Sequence, residues 1–197
     1  MNTSMKRIAI FLAAAALLLA GQTAKAQIWI GVGAGSRGYF MQDEGHAAPQ
    51  LSLEGDYTLK LGSNFSASAG LSLTGVAGYH FAGDNSKNLG EIYLDIPIRG
   101  KFQIPLFHSF DVYLFAGPTV SVNLVSIDAH SGASTNNYQS YPTLNRLDVM
   151  LGGGAGAVIA KHVRIGIGYD YGLLDRDSAA GTTIHTGALK VTAGYIF

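Results

Sequence analysis

Charged side chains recur at every second position along several stretches of the sequence, and they are the residues best placed to do chemistry. Seven are acids and five are bases: Glu54, Asp56, Glu91, Asp95, Asp111, Asp148 and Asp170, with Lys60, Arg99, Lys101, Arg164 and Lys190. Paired carboxylates could act as a general acid and a general base. The same groups could instead form ion pairs, because a buried charge needs a partner. We expect ion pairing, and we predict that the chain is not an enzyme and has no catalytic residue.

Histidines offer a second kind of chemistry, because imidazole binds zinc, copper and nickel. Four of them fall in long polar connections: His46, His80, His130 and His185. Acids are near them in the sequence: Asp43, Glu44, Asp84, Asp128, Asp175 and Asp177. No two histidines have a local metal-binding spacing such as H-E-x-x-H. We therefore predict no metal and no cofactor, and we keep a zinc site built from the four connections as a hypothesis.

Glycine-rich runs and one serine could suggest a phosphate loop or a hydrolase. The runs are Gly31-x-Gly33-x-Gly35 and Gly152-Gly153-Gly154-Ala155-Gly156. Neither has the G-x-G-x-x-G or G-x-x-x-x-G-K spacing of a phosphate site. Ser36, in A-G-S-R-G, lacks the first glycine of a nucleophile elbow. We predict instead that most of these glycines face a crowded interior, where little room remains for side chains.

The elements that must position these residues are strands, because apolar and polar residues alternate with period two. Eight such stretches occur, at 27–35, 49–61, 65–79, 90–104, 110–124, 146–160, 162–173 and 186–197. Short turns are expected at 62–64, 105–109 and Lys161, and they alternate with long connections at 36–48, 80–89, 125–145 and 174–185. The sequence therefore predicts an all-β fold built from hairpins.

The placement of charge indicates which environment the strands face. Charges share one face with the glycines, while the aliphatic face carries almost none. An apolar outer face around a polar interior is typical of transmembrane β-barrels, and a sheet in lipid must close on itself. We predict an eight-stranded antiparallel up-and-down transmembrane β-barrel in a bacterial outer membrane, surrounded by outer-membrane lipid. Pro97 and Pro118 fall inside strands, so we expect a bulge at each.

The N-terminal segment is expected to be absent from the mature protein. Lys6 and Arg7 precede an apolar run over 8–20, and Ala24-Lys25-Ala26 resembles a cleavage site. The run is shorter than the about 20 residues that a spanning helix needs, so 1–26 reads as a cleaved signal peptide and 27–197 as the barrel domain. There is no cysteine and the formal net charge is zero. The charge balance predicts no nucleic-acid partner.

Four motifs suggest a family. They are Leu94-Asp95-Ile96-Pro97-Ile98, Phe115-Ala116-Gly117-Pro118, Gly166-Ile167-Gly168-Tyr169-Asp170-Tyr171-Gly172-Leu173 and Gly194-Tyr195-Ile196-Phe197. Over essentially the whole mature chain they resemble the PorT-like family of bacterial outer-membrane β-barrel proteins. The resemblance implies that both prolines fit the fold. It also implies that the strand ending in Phe197 is recognised by the outer-membrane assembly machinery. Such families share architecture more than activity.

The expected function follows from a filled barrel. We predict a monomeric integral protein of the cell envelope, with a structural or interaction role through its outer loops. A narrow porin-like channel or transporter is an alternative, but it needs an unfilled lumen. The inward charges and the large rings of Trp29, Tyr93, Tyr113 and Phe115 argue against one. An outer-membrane hydrolase is a further alternative, and so is a soluble exported barrel with apolar residues inside.

Overall fold

Eight antiparallel strands form one closed sheet in this computed structural model, which describes residues 26–40, 45–80, 88–128, 145–176 and 183–197. The strands are β1 Ala26–Phe40, β2 Gly45–Lys60, β3 Phe65–His80, β4 Asn88–Phe107, β5 Phe110–Asp128, β6 Leu147–Ile159, β7 Val163–Gly172 and β8 His185–Ile196. Each strand pairs with the next, and β8 pairs with β1 from Trp29↔Ile196 to Phe40↔His185. The predicted eight-stranded barrel is confirmed. In the described part of the chain, no helix is long and apolar enough to cross a membrane.

Side chains alternate between an apolar outer surface and a polar interior. Along β7, Ile165 and Ile167 are 41% and 52% exposed, whereas Arg164 is 9% exposed. The alternation arises because successive residues of a strand point to opposite faces of the sheet. This arrangement is the reverse of the soluble barrel considered above, which would hold its apolar residues inside. The short turns lie at the end with Ala26 and Ile196, which we call the periplasmic end, and the opposite end is the outer end.

Strands at the outer end continue further than the sequence pattern indicated. β1 reaches Phe40 and β2 begins at Gly45, so most of the loop predicted at 36–48 is strand. β4 and β5 also extend at this end, to Asn88 and Asp128. At the periplasmic end, β4 continues to Phe107, and the turn predicted at 105–109 shrinks to His108 and Ser109. A strand needs only about 9–11 residues to cross the hydrocarbon core. Beyond that length the outward side chains need not be apolar, and the alternation that marks a strand fades.

Pro97 and Pro118 lie within strands without the predicted bulges, and that prediction is wrong. The β4–β5 register is the same on both sides of Pro97, and the β5–β6 ladder runs through Pro118. A local change of backbone conformation occurs instead. Gly117 has a φ of 155°, and its carbonyl oxygen accepts a hydrogen bond from Nη1 of Arg99. Glycine adopts such positive φ values without the steric penalty of a side chain.

Aromatic rings of β5 lie against glycines of β7, which is two strands away in the sheet. A Cβ atom on Gly168 of β7 would lie 2.8 Å from Cζ of Phe115, and one on Gly166 would lie 2.7 Å from the hydroxyl oxygen of Tyr113. The glycines thus leave the space that these two rings occupy. The same two rings face the predicted glycine run of β6: a Cβ atom on Gly154 would lie 2.6 Å from Cζ of Phe115, and one on Gly156 would overlap the Tyr113 hydroxyl. The expectation of a crowded interior is confirmed at these two glycines of the run.

This packing predicts that Gly168→Val destabilises the barrel through crowding rather than through polarity. We expect the free energy of unfolding to fall by about 1–3 kcal/mol, the usual cost of overpacking, in denaturant titrations of the protein in lipid vesicles. Gly75→Val is the matched control, because a Cβ there has nothing within 4 Å. Adding Phe115→Leu to Gly168→Val should recover part of the loss. Equal losses for Gly168→Val and Gly75→Val would contradict the packing argument.

Candidate functional site

The polar interior is crossed near its outer end by a buried arginine. Nη1 of Arg37 on β1 lies 3.2 Å from each carboxylate oxygen of Asp95 on β4, and Nη2 donates to Oγ of Ser121 on β5 at 2.6 Å. The guanidinium also lies 3.7 Å from the centre of the Tyr93 ring. Asp95 additionally accepts a hydrogen bond from Thr74 at 3.0 Å. Because Arg37 is 1% exposed, its charge depends on these partners rather than on water.

A second layer of ion pairs crosses the middle of the barrel. Arg99 on β4 contacts Asp170 on β7 at 2.6 Å, between Nη2 and Oδ1. The same nitrogen donates to Oγ1 of Thr119 at 2.7 Å. Lys190 on β8 contacts Glu54 on β2 at 2.6 Å. These pairs join strands that are not neighbours in the sheet, and they therefore fill the lumen rather than line it.

A third layer lies toward the periplasmic end and is built around one carboxylate. Asp56 on β2 accepts hydrogen bonds from both terminal nitrogens of Arg164 on β7. Nζ of Lys101 on β4 lies 3.4 Å from each oxygen of the same carboxylate. Thr58 donates to Asp56 at 2.8 Å and accepts from Lys101 at 3.1 Å. The guanidinium of Arg164 stacks on the Trp29 ring, 3.9 Å from its centre.

The outer mouth holds a buried cluster that sequence reasoning missed. Arg176, in the connection after β7, places Nη2 3.2 Å from Oε1 of Glu91. The hydroxyls of Tyr39 and Tyr93 both donate to Oε2 of Glu91, at 2.7 and 2.6 Å. Ile184 belongs to the same buried apolar cluster as these two rings and is 3% exposed.

Arg37 and Arg176 escaped the sequence analysis because both fell in connections predicted to be loops. For Arg37 a signal was present, since the inward positions of β1 continue at every second residue through Gly33, Gly35, Arg37 and Tyr39. No comparable signal exists for Arg176, which lies beyond the end of β7 at Gly172. Its contribution depends on how the connection returns over the mouth.

Twelve charged residues were predicted to face the interior. Three of them form no ion pair with another described residue. Lys60 is exposed at the periplasmic end of β2. Asp111 accepts a hydrogen bond from the Gln103 amide at 2.7 Å. Asp148 is buried; its Oδ1 accepts from the Leu174 backbone N–H at 3.4 Å, and its Oδ2 has no partner there. Glu91 and Asp95 pair with Arg176 and Arg37, which are outside the predicted set of bases. The expected pairing within the predicted set therefore holds for the remaining seven.

The histidines are spread over both ends of the barrel. His185 bonds through Nδ1 to the Gly172 carbonyl at 3.0 Å at the outer end, and His162 bonds to the Ile196 carbonyl at 3.1 Å at the periplasmic end. Within the described ranges, no group of three His, Asp or Glu side chains is placed to hold a metal ion. Parts of the zinc hypothesis lie outside the described residues: His130, Asp43, Glu44, Asp84, Asp177 and the side chains of His46, His80 and Asp128. The zinc site stays a hypothesis.

Ser36, the serine considered above as a nucleophile, lies within a paired strand. Ser36 lies inside β1, opposite Pro49 of β2 and Leu189 of β8. A nucleophile elbow requires a sharp turn from a strand into a helix, and Ser36 has strand on both sides. The sheet thus gives Ser36 an ordinary structural position, in agreement with the sequence analysis.

A comparison with protein-family models matches residues 8–197 to the outer membrane protein β-barrel domain. The chain belongs to this family of outer-membrane β-barrel proteins. A protein of this family lies in the lipid bilayer of the bacterial outer membrane, and its exposed apolar residues face the lipid. The match begins within the segment read as a signal peptide, whose residues 1–25 lie outside the described part.

Solved structures share the barrel architecture at low sequence identity. Neisserial surface protein A is 12% identical with a TM-score of 0.52, over 88% of this chain and 99% of that one. The outer membrane enzyme PagL is 14% identical with a TM-score of 0.52, over 83% of this chain and 97% of that one. A comparison with curated proteins finds no match. Because one of these two barrels is an enzyme, the fold alone does not decide whether this chain is one.

Proposed function

We propose that this outer-membrane barrel is a non-conducting protein that presents its outer connections to an external partner. The closed outer mouth is the observation that carries the proposal. The backbone N–H of Arg176 donates to the carbonyl of Ile184 at 2.9 Å, and the carbonyl of Arg176 accepts from the N–H of Asn145 at 2.9 Å. The described ends of the β5–β6 connection, at Asn145, and of the β7–β8 connection, at Arg176, are therefore joined by a backbone hydrogen bond.

Side chains then hold this backbone over the mouth of the barrel. The Arg176 guanidinium lies among Tyr39, Glu91 and Tyr93, and Ile184 completes an apolar cluster with neighbours on β1 to β4. A surface that is ordered before binding loses less conformational entropy when a partner binds. An interaction role at the outer rim is supported on this ground.

The filled lumen supports the absence of conduction. Ion pairs cross it in three layers, each between strands that are not adjacent, and the outer cluster closes it above. Cavities between the layers have volumes of about 90, 30 and 30 Å³. A water molecule needs about 10–15 Å³ of such space, so these cavities hold a few waters each but do not form an ion-sized path.

Planar-bilayer recording tests this proposal. We expect the purified protein to show no single-channel steps, because a hydrated ion would have to break several buried ion pairs to pass. The double variant Arg37→Ser with Arg176→Ser removes the two ion pairs nearest the outer end, Arg37–Asp95 and Arg176–Glu91, and serves as the comparison. Stable steps from the unaltered protein, with an amplitude that changes in Arg99→Gln or Arg164→Gln, would instead assign a narrow pore.

A non-enzymatic role is part of the proposal. In the described part of the chain, no hydrogen bond joins a histidine to a serine or threonine hydroxyl. Nine of the twelve inward charges have ion-pair partners, and a buried polar network is stable when its members are paired in this way. These observations support a structural use of groups that could otherwise act as acids and bases.

The finer family assignment rests on the motifs. We infer a PorT-like member, supported by the structural roles that the motif residues have here. Asp95 accepts from Arg37, and Gly117 before Pro118 turns its carbonyl toward Arg99. Phe197 is 69% exposed, and its N–H bonds to the Ile28 carbonyl at 2.8 Å, beside the closing seam. This placement supports recognition by the assembly machinery, and we propose a monomer because the sheet closes within one chain.

A further inference from the structure

A small cavity at the periplasmic end of the lumen is lined by three cations and by no carboxylate. Its volume is about 30 Å³, and Lys60, Lys101 and Arg164 line it together with neutral polar groups such as Gln27 and Gln103. We call this cavity the vestibule. A larger cavity of about 90 Å³ shares Lys101 and Arg164 with the vestibule. Cations grouped around a cavity with low-dielectric walls attract anions strongly.

The positive charge of the vestibule is only partly compensated. Asp56 is the shared partner of two cations, and Arg164 contacts both of its oxygens. Lys101 is left with two distances of 3.4 Å to that carboxylate, well beyond the about 2.7–2.9 Å of a strong charged hydrogen bond. Lys60 has no ion-pair partner among the described residues. Three positive charges thus face one carboxylate, which leaves an excess of two.

The other nearby carboxylates do not remove this excess from the cavity. Glu54 and Asp170 line the larger cavity, where they pair with Lys190 and Arg99. Asp111 accepts its hydrogen bond from the amide of Gln103. It does not line the vestibule, and Gln103 does. Asp111 thus lies one hydrogen bond behind the cavity wall, and its single negative charge reduces the excess of two positive charges without cancelling it.

An unpartnered donor gives an independent indication of a ligand. Trp29 is 2% exposed, and its indole Nε1–H has no hydrogen-bond partner among the described residues. The same side chain lines both the vestibule and the larger cavity. A buried N–H without an acceptor costs about 1–3 kcal/mol. A group that accepts hydrogen bonds and carries negative charge satisfies both this donor and the excess cations.

We propose that the vestibule binds a small anion, a halide or a small oxyanion, that enters from the periplasm. Lys101 and Arg164 supply the charge at its inner end, Lys60 attracts the ion at the mouth, and the Trp29 N–H donates to it. The Arg99–Asp170 pair lies deeper in the lumen. The vestibule therefore lies on the periplasmic side of that pair and is separate from the outer surface discussed above.

Trp29 makes the proposal directly measurable, because it is the one tryptophan in the sequence. Its fluorescence is titrated with potassium iodide on the purified protein in detergent micelles, with ionic strength held constant by potassium gluconate, an anion too large for the cavity. We expect saturable quenching by iodide and competition by chloride. Caesium, a cationic quencher, should quench weakly and without saturation.

Matched lysine variants separate a binding site from general surface charge. Lys101→Met should raise the apparent dissociation constant for iodide at least tenfold, and Lys60→Met should raise it several-fold. Lys161→Met is the control, because Lys161 is exposed in the β6–β7 turn and does not line the vestibule. If Lys101→Met does not fold, the exposed position of Lys60 keeps the comparison possible. Linear quenching that is equal in Lys60→Met and Lys161→Met would overturn the proposal and leave a cavity filled by water.

Discussion

Replacing Arg37 by methionine should lower the free energy of unfolding by about 3–5 kcal/mol, the usual cost of removing one partner from a buried ion pair. The change leaves the Asp95 carboxylate without its cation in a part of the lumen where Arg37 itself is 1% exposed. Ser121 and Thr74 would still donate to Asp95, but they carry no compensating charge. Guanidinium titration in lipid vesicles, followed by Trp29 emission, measures the loss.

A second substitution distinguishes the unpaired charge from lost packing. Adding Asp95→Asn to Arg37→Met removes the orphaned charge. The amide oxygen of asparagine accepts from one of the two hydroxyls that now donate to separate carboxylate oxygens, and its NH2 group donates to the other hydroxyl. We expect the double variant to recover at least half of the loss, as a strong pairwise coupling in a double-mutant cycle requires. A loss under about 0.5 kcal/mol for Arg37→Met would contradict the view that this residue organises the outer half of the lumen.

Placing arginine at Ile167 should cost about 2–4 kcal/mol, because this position lies near the middle of β7 on the lipid-facing surface. Ile167 is 52% exposed, and its neighbours Gly166 and Gly168 face the interior. In the membrane, that exposed surface contacts hydrocarbon, where a guanidinium has no water. The same vesicle titration measures the change, with Ile167→Leu as the apolar control.

Depth in the bilayer provides the comparison for this prediction. Val163 is the first residue of β7, lies at the periplasmic end and is 42% exposed on the same surface. Val163→Arg should cost only about 0–1 kcal/mol, because a charge near the interface reaches water. Equal costs at the two positions would place the membrane elsewhere on the barrel. A larger loss from Ile167→Leu than from Ile167→Arg would reverse the assignment of the two faces.

These two predictions concern opposite faces of one sheet, and together they explain how the chain tolerates so much buried charge. The outer face gains stability from lipid, which leaves the interior free to be polar. The interior is then stable only if its charges meet partners across the lumen. In the vestibule, Lys101 and Arg164 share the Asp56 carboxylate and Lys60 has no ion-pair partner among the described residues, so the balance is least complete there.

The sequence by itself determined the fold class and the two faces of the sheet. A period of two is a local property, readable from residues such as Ile165, Gly166 and Ile167 without knowledge of any partner. Lipid then imposes closure, because every backbone group inside the membrane must be paired. Strand number, the lipid-facing residues and the inward position of most charges follow from these two facts.

Only the tertiary structure decided which charges meet and where the lumen remains open. The pairs Arg37–Asp95 and Arg164–Asp56 join residues far apart in the chain. Their contact depends on barrel curvature and strand register, which sequence periodicity does not specify. Arg176 reaches the mouth from a connection that has no periodicity. Gly117, directly before Pro118, adopts a φ of 155°, which the sequence pattern did not indicate. The vestibule is likewise tertiary, because β2, β4 and β7 bring its cations together while, among the described residues, Asp56 is the one carboxylate that pairs with any of them.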